Sequence, residues 1–316
     1  MKKKFDNEIK IEGYVYQHSL AEKTVQSTAS ANFGKPFIGG SVFVATDEEG
    51  LNVVEIHYSF IQPTTKQGKA NPTYNALKQI MNGKTWIADG KDEAVKAIFK
   101  PSIALNDFYD REGKLVSPKR AEGGFVTICS GATTINPDPD KRCMFIADMV
   151  VTSLKDVEPN EEKGYDGYTE VRGCIFDFRN GVLPVDFRMR DQNGIDWLNS
   201  LDPSPANPVL IKGWGKIISE TTTVEIKEEG AFGEALVKTV SRNHKEWLMT
   251  SGKNDEEFGD ESTITAEELK AKMQDREVYL AGVKKRADEY QASKTSGSSA
   301  SAAPAPAPAT ADGFNF

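Results

Sequence analysis

Residues 209–217 combine cations, an indole and glycines at a spacing that suits contact with a polyanion. In the period-2 pattern of a predicted strand, Lys212, Trp214 and Lys216 share one face, whereas Gly213 and Gly215 lie on the other. Bases stack on an indole for roughly 1–3 kcal/mol each, and lysines meet phosphates, so the row is typical of a surface for single-stranded nucleic acid. In the alternative, Trp214 belongs to the core and the lysines extend past it to solvent.

Residues 173–190 carry a second group of cations and predict a β-hairpin around the Asn180-Gly181 dipeptide. With a two-residue turn, one face is predicted to be core, and it carries Cys174, Phe176, Phe178, Leu183, Val185, Phe187 and Met189. The opposite face then presents three guanidiniums that suit a phosphate backbone, namely Arg179, Arg188 and Arg190. The alternative is a solvated face on which two aspartates of the hairpin, Asp177 and Asp186, pair with some of them.

A third group lies in a stretch without acidic residues, which runs from Ile56 to Ala88. The strand at its start alternates, and its predicted buried side carries Val54, Ile56, Tyr58 and Phe60. A basic loop between strand and helix is where small five-stranded barrels hold oligonucleotides. We therefore assign five residues of this stretch to nucleic-acid binding, namely Lys66, Lys69, Lys78, Lys84 and Trp86. Solvated lysines without a ligand are the alternative.

The overall charge at first argues against a nucleic-acid partner. The 316 residues include 39 Lys and Arg against 47 Asp and Glu, which gives a net charge of -8. Residues 1–150, however, hold 19 basic and 18 acidic side chains, so the surplus of acids lies in the second half. A local basic surface is therefore compatible with the composition.

Membrane and secreted classes are disfavoured by the same sequence. No stretch approaches the roughly 20 apolar residues of a membrane span, and no hydrophobic signal region follows the amino-terminal lysines. Cys129, Cys143 and Cys174 are odd in number and widely spaced, so neither a disulfide framework nor a zinc site is predicted. We expect a cytoplasmic protein with reduced thiols.

Catalytic motifs are weak throughout the chain. It contains no GxxxxGK[ST] phosphate loop, no HExxH pair and no GxSxG elbow. Asp107, Asp110 and Glu112 are candidates for a metal site and, as the weakest hypothesis, for a nuclease, but their turn-like surroundings favour ordinary loop acids. We predict a protein that is not an enzyme and has no cofactor or metal ion.

The order of predicted elements repeats once along the chain. Three strands within residues 9–61 precede a short helix that begins at Asn71-Pro72 and ends near Met81. A strand, the hairpin, a short helix and another strand follow between residues 144 and 226. The predicted fold class is mainly β, with two small β-barrels in tandem at residues 1–130 and 131–227.

After residue 228 the hydrophobic pattern becomes helical. An apolar stripe from Phe232 to Trp247 predicts a helix that ends near Gly252, and a capping box at Thr265 begins a second helix. Residues 228–294 are therefore predicted to be helical. Packing of the second helix against its own domain is favoured over self-association.

Residues 295–316 are rich in Ala, Pro and Ser and predict a disordered linker with an aromatic tip. Together with the two repeated units and their basic aromatic faces, this tail resembles the single-stranded-DNA-binding proteins of bacteriophage replication systems, which are built from OB-folds. The resemblance implies tandem OB-like barrels that coat single-stranded DNA during replication or recombination. The resemblance also implies that the tip recruits replication or recombination proteins, and the matching residues are Asp312, Phe314 and Phe316. Separately, the apolar stripe of the second helix keeps a homo-oligomer as an option. The alternative is a structural or virion-assembly protein that oligomerises through its C-terminal helices.

Overall fold

The computed structural model describes residues 5–160, 166–228, 236–254 and 264–295. The strands are β1 (Asn7–His18), β2 (Ala21–Thr24), β3 (Pro36–Ala45), β4 (Val53–Ile61), β5 (Lys96–Leu105), β6 (Phe108–Tyr109), β7 (Leu115–Val116), β8 (Lys119–Ile128), β9 (Cys143–Val157), β10 (Tyr168–Phe176), β11 (Val182–Met189), β12 (Val209–Glu228) and β13 (Leu236–Lys253). The helices are α1 (Pro72–Met81), α2 (Trp86–Asp89), α3 (Gln192–Ser200) and α4 (Ala266–Thr295).

The first half of the chain closes into a five-stranded barrel. β1 pairs with β3, β3 with β4, β4 with β8, β8 with β5, and β5 again with β1. Only the β4–β8 contact within this ring is parallel. Helix α1 connects the third strand of the ring to the fourth, and this topology is that of an OB-fold.

The second half repeats this topology. β9 pairs with β10, β10 with β11, β11 with β13, β13 with β12, and β12 with β9, and the β11–β13 contact is again parallel. Helix α3 occupies the place of α1. The predicted fold class, mainly β with tandem OB-like barrels and a C-terminal helix, is confirmed.

Helix α1 forms because its first turn is well capped. Asn71 precedes it in an extended conformation, and its side-chain oxygen accepts a hydrogen bond from the Thr73 N–H at 3.1 Å. Pro72 lacks an N–H at a position where none would be paired within the helix. Leu77 and Ile80, both fully buried, then pack into the core of the first barrel.

The prediction of a helix that ends near Gly252 is wrong, because residues 236–253 form strand β13. This strand runs antiparallel to β12 from the Glu228–Leu236 pair to the Lys212–Lys253 pair. The pairing of this strand with β11 and β12, which closes the second barrel, outweighs the helical preference indicated by a few apolar residues at helical spacing. The second barrel thus takes its fifth strand from the region that we assigned to helices, while Phe232 lies outside the described residues.

The predicted register of the 173–190 hairpin is also wrong. Phe176 pairs with Val182, and the Asp177 N–H donates to the Gly181 carbonyl at 2.9 Å, so the turn is longer than the two residues assumed. The longer turn exchanges the faces of one strand relative to the other. Ile175 is therefore fully buried on the face of Val185 and Phe187, whereas Cys174 and Phe176 face helix α4.

The two barrels share one sheet. Their first strands, β1 and β9, pair antiparallel from Asn7–Ala147 to Ile11–Cys143. The buried Asn7 side chain donates to the Ile103 and Phe176 carbonyls at 3.0 Å each, and so joins β5 of one barrel to β10 of the other. The division of the chain near residue 130 into separate domains stays a prediction.

Helix α4 contacts both barrels. Leu269 and Met273 pack on the small apolar cluster around Phe176, as expected for a helix that packs against its own protein. Further along, the Arg276 guanidinium lies 2.7 Å from the Asp107 carboxylate, with both side chains nearly buried. Asp107 is thus engaged in an ion pair. No helix within the described ranges is long and apolar enough to cross a membrane.

Candidate nucleic-acid interface

One edge of the first barrel carries rings and lysines on two acid-free segments. It comprises β2, β3, the end of β4 and the connections that follow β2 and β4. We call it the basic aromatic patch, and its members are Phe33, Phe37, Phe60, Lys23, Lys35, Lys66 and Lys69. The sequence has no Asp or Glu from Lys23 to Thr46 or from Ile56 to Ala88, and these two segments supply every member.

The rings of the patch are accessible. Phe37 and Phe60 lie with their centroids 4.5 Å apart, and Phe60 is 40% exposed. Phe33, in the connection between β2 and β3, is 55% exposed. Lys23 is directly opposite Phe37 in the β2–β3 register, so the cation and the ring share a face. Such a mixture of rings and cations matches the bases and phosphates of a single strand.

Phe60 was predicted to be core, and the structure corrects this. Val54, Ile56 and Tyr58 are buried as their alternation predicts, but the pairing of β4 with β3 shifts between Ile38 and Gly40. Gly40 has φ +136, and a Cβ there would lie 2.4 Å from the Ser19 carbonyl oxygen. The bulge ends the regular barrel wall, and Phe60 beyond it is exposed.

The connection of residues 62–71 presents two of the predicted lysines. It folds back on itself through a bridge between Thr64 and Ala70, and the Thr65 N–H donates to the Lys69 carbonyl at 2.8 Å. Lys66 and Lys69 are both exposed on this small hairpin, directly after the end of β4. The structure therefore places both lysines on a short hairpin that follows the strand carrying Phe60.

Lys78 also lies at this edge, but it is paired with an acidic residue. It projects from α1, and its Nζ lies 3.4 Å from the Glu22 carboxylate. The Tyr74 hydroxyl also donates to Glu22, which holds the pKa of Glu22 below its ordinary value and raises the pKa of Tyr74 to about 12. Glu22 is thus held at the surface by Tyr74 and Lys78 of α1, and the exposed Lys78 pair is weak enough to exchange for a phosphate.

Lys84 and Trp86 lie away from the patch members, around α2. The Lys84 Nζ lies 2.6 Å from Glu93, and this hydrogen bond raises the pKa of Lys84. Trp86 is half-buried, with its ring edge-on to Tyr14 at 5.4 Å between centroids. The Lys91 Nζ lies 5.7 Å from the centroid of the same indole. The Trp86 indole is thus already in contact with Tyr14 and the Lys91 ammonium of the same chain.

The predicted row on β12 has the expected parity. Lys212, Trp214 and Lys216 are half-buried on the outside, whereas Gly213 and Gly215 are buried on the inside. Acids surround this row, because Lys212 lies 2.8 Å from Asp6 and 3.7 Å from Asp148, and Lys216 lies 3.4 Å from Asp140. Burial raises the pKa of Asp148. The two lysines of the row are thus already paired with three carboxylates of the same chain.

The three predicted arginines of the hairpin do not converge. Arg179 lies at the turn, with its guanidinium 5.0 Å from the centroid of the exposed Phe178 ring. Arg188 stacks over Tyr168 at 4.3 Å, and Arg190 lies 2.9 Å from the buried Glu246 carboxylate. Their separation follows from the longer turn, which removes Arg179 from the face of the other two.

Besides Phe60, which was assigned to the core, sequence reasoning missed four members of the patch, namely Lys23, Lys35, Phe33 and Phe37. The sequence does contain a signal for these four residues, because they lie in a stretch without acids from Lys23 to Thr46, like the stretch that contains Lys66 and Lys69. The predicted partner-binding residues Asp312, Phe314 and Phe316 lie outside the described residues.

The topology and the patch define a tandem OB-fold protein with a basic aromatic surface. The chain belongs to the YorF family, whose model matches residues 6–286 and so spans both barrels and most of α4. A solved structure of a deletion mutant of the single-stranded DNA binding protein from Thermus aquaticus is similar at 9% identity and a TM-score of 0.43, over 79% of this chain and 95% of that one. No curated protein matches the sequence.

Proposed function

We propose that this protein binds single-stranded DNA with little sequence preference and without catalysing a reaction on it. The observation that carries the proposal is the basic aromatic patch, in which exposed rings and lysines lie on segments free of carboxylates. Every base offers a face to a phenyl ring, so stacking on Phe60 and Phe33 would tolerate any sequence. A duplex offers no such faces along its length, which favours the single strand.

Binding to labelled oligo-dT at increasing salt tests the proposal. The four lysines of the patch predict a decrease of the logarithm of affinity with the logarithm of salt, with a slope of about -3, because each phosphate contact on a single strand contributes about -0.7. Lys66→Glu should make this slope shallower by about 1, while Lys284→Glu, an equally exposed site on α4, should leave it unchanged. Absent binding, or affinity independent of salt, would refute the proposal.

The finer role proposed is the coating of single-stranded DNA in phage replication or recombination, in the host cytoplasm. In this role the tip residues Asp312, Phe314 and Phe316 would recruit a replication or recombination protein through the linker that precedes them. The aromatic tip after an Ala/Pro/Ser segment supports this part of the proposal. Removal of residues 312–316 should abolish co-purification of such a protein while oligo-dT affinity is retained, and unchanged co-purification would exclude the tip.

The alternative is a structural or virion-assembly protein that oligomerises through its C-terminal region. Val278, 74% exposed, and Tyr290, 53% exposed, are the features of α4 that favour it. Against it, Leu269 and Met273 already pack on the second barrel. Light scattering separates the two roles, because an assembly protein should form large particles without DNA and ignore oligo-dT.

A further inference from the structure

A second pair of exposed rings lies where the two barrels meet. Phe125 on β8 of the first barrel is 71% exposed, and Phe178 on the hairpin turn of the second is 90% exposed. Both line one cleft of about 710 Å³ between the barrels. Single exposed apolar residues are ordinary on protein surfaces, but two phenyl rings from different barrels in one cleft point to a ligand.

Each of these two exposed rings has a cation beside it. Lys100 is exposed and directly opposite Phe125 in the β5–β8 register, so the two side chains share a face. The Arg179 guanidinium lies 5.0 Å from the centroid of the Phe178 ring. Both barrels thus contribute the same combination of ring and cation, which is the combination that binds the bases and phosphates of a single strand.

Local backbone geometry holds Phe125 outward. Gly123 and Gly124 have φ +64 and +81, and a Cβ on Gly124 would lie 1.9 Å from the Lys100 carbonyl oxygen. The pairing of β5 with β8 shifts at this point, and Val126 beyond it is buried. A side chain at residue 124 would disturb the bulge, so the glycines fix the direction of Phe125.

A tight turn holds Phe178 outward in the same way. The Asp177 carboxylate accepts hydrogen bonds from the Arg179 N–H at 2.8 Å and the Gly181 N–H at 2.7 Å. Asp177 and Glu8 are the acids that line the cleft. Asp177 keeps its charge while the turn engages it, so the cleft holds two carboxylates, Glu8 and Asp177, beside the cations Lys100 and Arg179.

Helix α1 links the basic aromatic patch to the cleft. The basic hairpin of residues 62–71 leads directly into α1, whose Thr73 hydroxyl donates to the Gly124 carbonyl at 3.4 Å. Gly124 precedes Phe125 in the chain. The first turn of α1 therefore connects Lys66 and Lys69 on one side to Phe125 on the other.

We infer that a single strand bound at the basic aromatic patch continues past α1 into this cleft, where Phe125 and Phe178 stack its bases. Lys100 and Arg179 then contact its phosphates, and the second barrel becomes part of the binding site. This inference rests on the proposed function, because it extends the path of the same ligand.

Oligo-dT of two lengths tests the inference. About 8 nucleotides suits one OB-fold and about 30 exceeds what one needs. Phe178→Ala should weaken binding of the longer oligonucleotide by about 5- to 150-fold, which corresponds to the loss of one stacked base, and should leave the shorter one unaffected. Phe125→Ala should show the same pattern, and Tyr290→Ala, an exposed ring on α4, is the matched control.

The outcomes separate the two hypotheses. If the wild-type protein binds both oligonucleotides, and Phe178→Ala and Phe125→Ala bind the longer one as tightly as it does, the path through the cleft is wrong and the proposed function stands. If the wild-type protein binds neither length, both fail. Thermal unfolding of each variant should remain near that of the wild type, because both rings are largely exposed.

Discussion

Replacement of Arg276 by alanine is expected to lower the free energy of unfolding by about 3–5 kcal/mol, because it leaves a buried carboxylate without its partner. The Arg276 guanidinium lies 2.7 Å from Asp107, and their side chains are only 9% and 3% exposed. The pair is a polar contact between α4 and the first barrel, so its loss should also loosen the helix. Urea unfolding followed by circular dichroism measures the change.

Lys285→Ala is the control for this prediction, since it removes an exposed pair from the same helix. The Lys285 Nζ lies 4.0 Å from Glu289, with both side chains mostly exposed, and its loss should cost less than about 1 kcal/mol. The double change Arg276→Met with Asp107→Leu should recover much of the stability, because no charge is then left unpaired. An Arg276→Ala variant as stable as Lys285→Ala would show that α4 is not held by this pair.

Replacement of Phe60 by alanine is expected to raise the Kd for oligo-dT by about 5- to 150-fold, the equivalent of about 1–3 kcal/mol for one stacked base. Phe60 is the exposed member of the pair with Phe37 and directly precedes the hairpin that carries Lys66 and Lys69. Because the loss is one of stacking, the dependence of affinity on salt should stay as in the wild type. Fluorescence anisotropy of labelled oligo-dT gives both quantities.

Two further variants separate stacking from folding in this experiment. Phe60→Tyr keeps an aromatic face and should bind as the wild type does. Leu51→Ala removes an apolar side chain that is 46% exposed at the opposite end of the β3–β4 hairpin, and it should leave affinity unchanged. Equal affinities of Phe60→Ala and Leu51→Ala would remove Phe60 from the binding site.

Much of the fold was predictable because local signals and tertiary packing agree. Asn71-Pro72 marks the start of α1, and the capping box at Thr265 marks the start of α4, whose Glu268 N–H donates to the Thr265 hydroxyl at 3.1 Å. Strand β13 was missed because its identity depends on closing a barrel with β12 and β11, which no local pattern encodes. The repeat offered a route, since the first unit has a fifth strand, β8, in the equivalent place.

The site was harder to predict because it depends on irregular backbone. The acid-free stretch did point to Lys66 and Lys69, which lie in the basic aromatic patch. Phe60 and Phe178, in contrast, have the parity of core residues. Phe60 is exposed because of the bulge in the β3–β4 pairing, and Phe178 is exposed because it lies in the longer turn of the β10–β11 hairpin. Alternation assumes a regular strand, so it fails where the strand ends or bends.

The central claim is that accessible rings and lysines bind the bases and phosphates of an unpaired strand. Competition between unlabelled oligo-dT and a blunt duplex of equal length, against labelled oligo-dT already bound to the full chain, tests it most directly. We predict that oligo-dT displaces the label at a concentration at least about tenfold lower than the duplex does, since stacking contributes at least about 1–3 kcal/mol only with unpaired bases. Equal displacement by the two, or stronger displacement by the duplex, would contradict the claim.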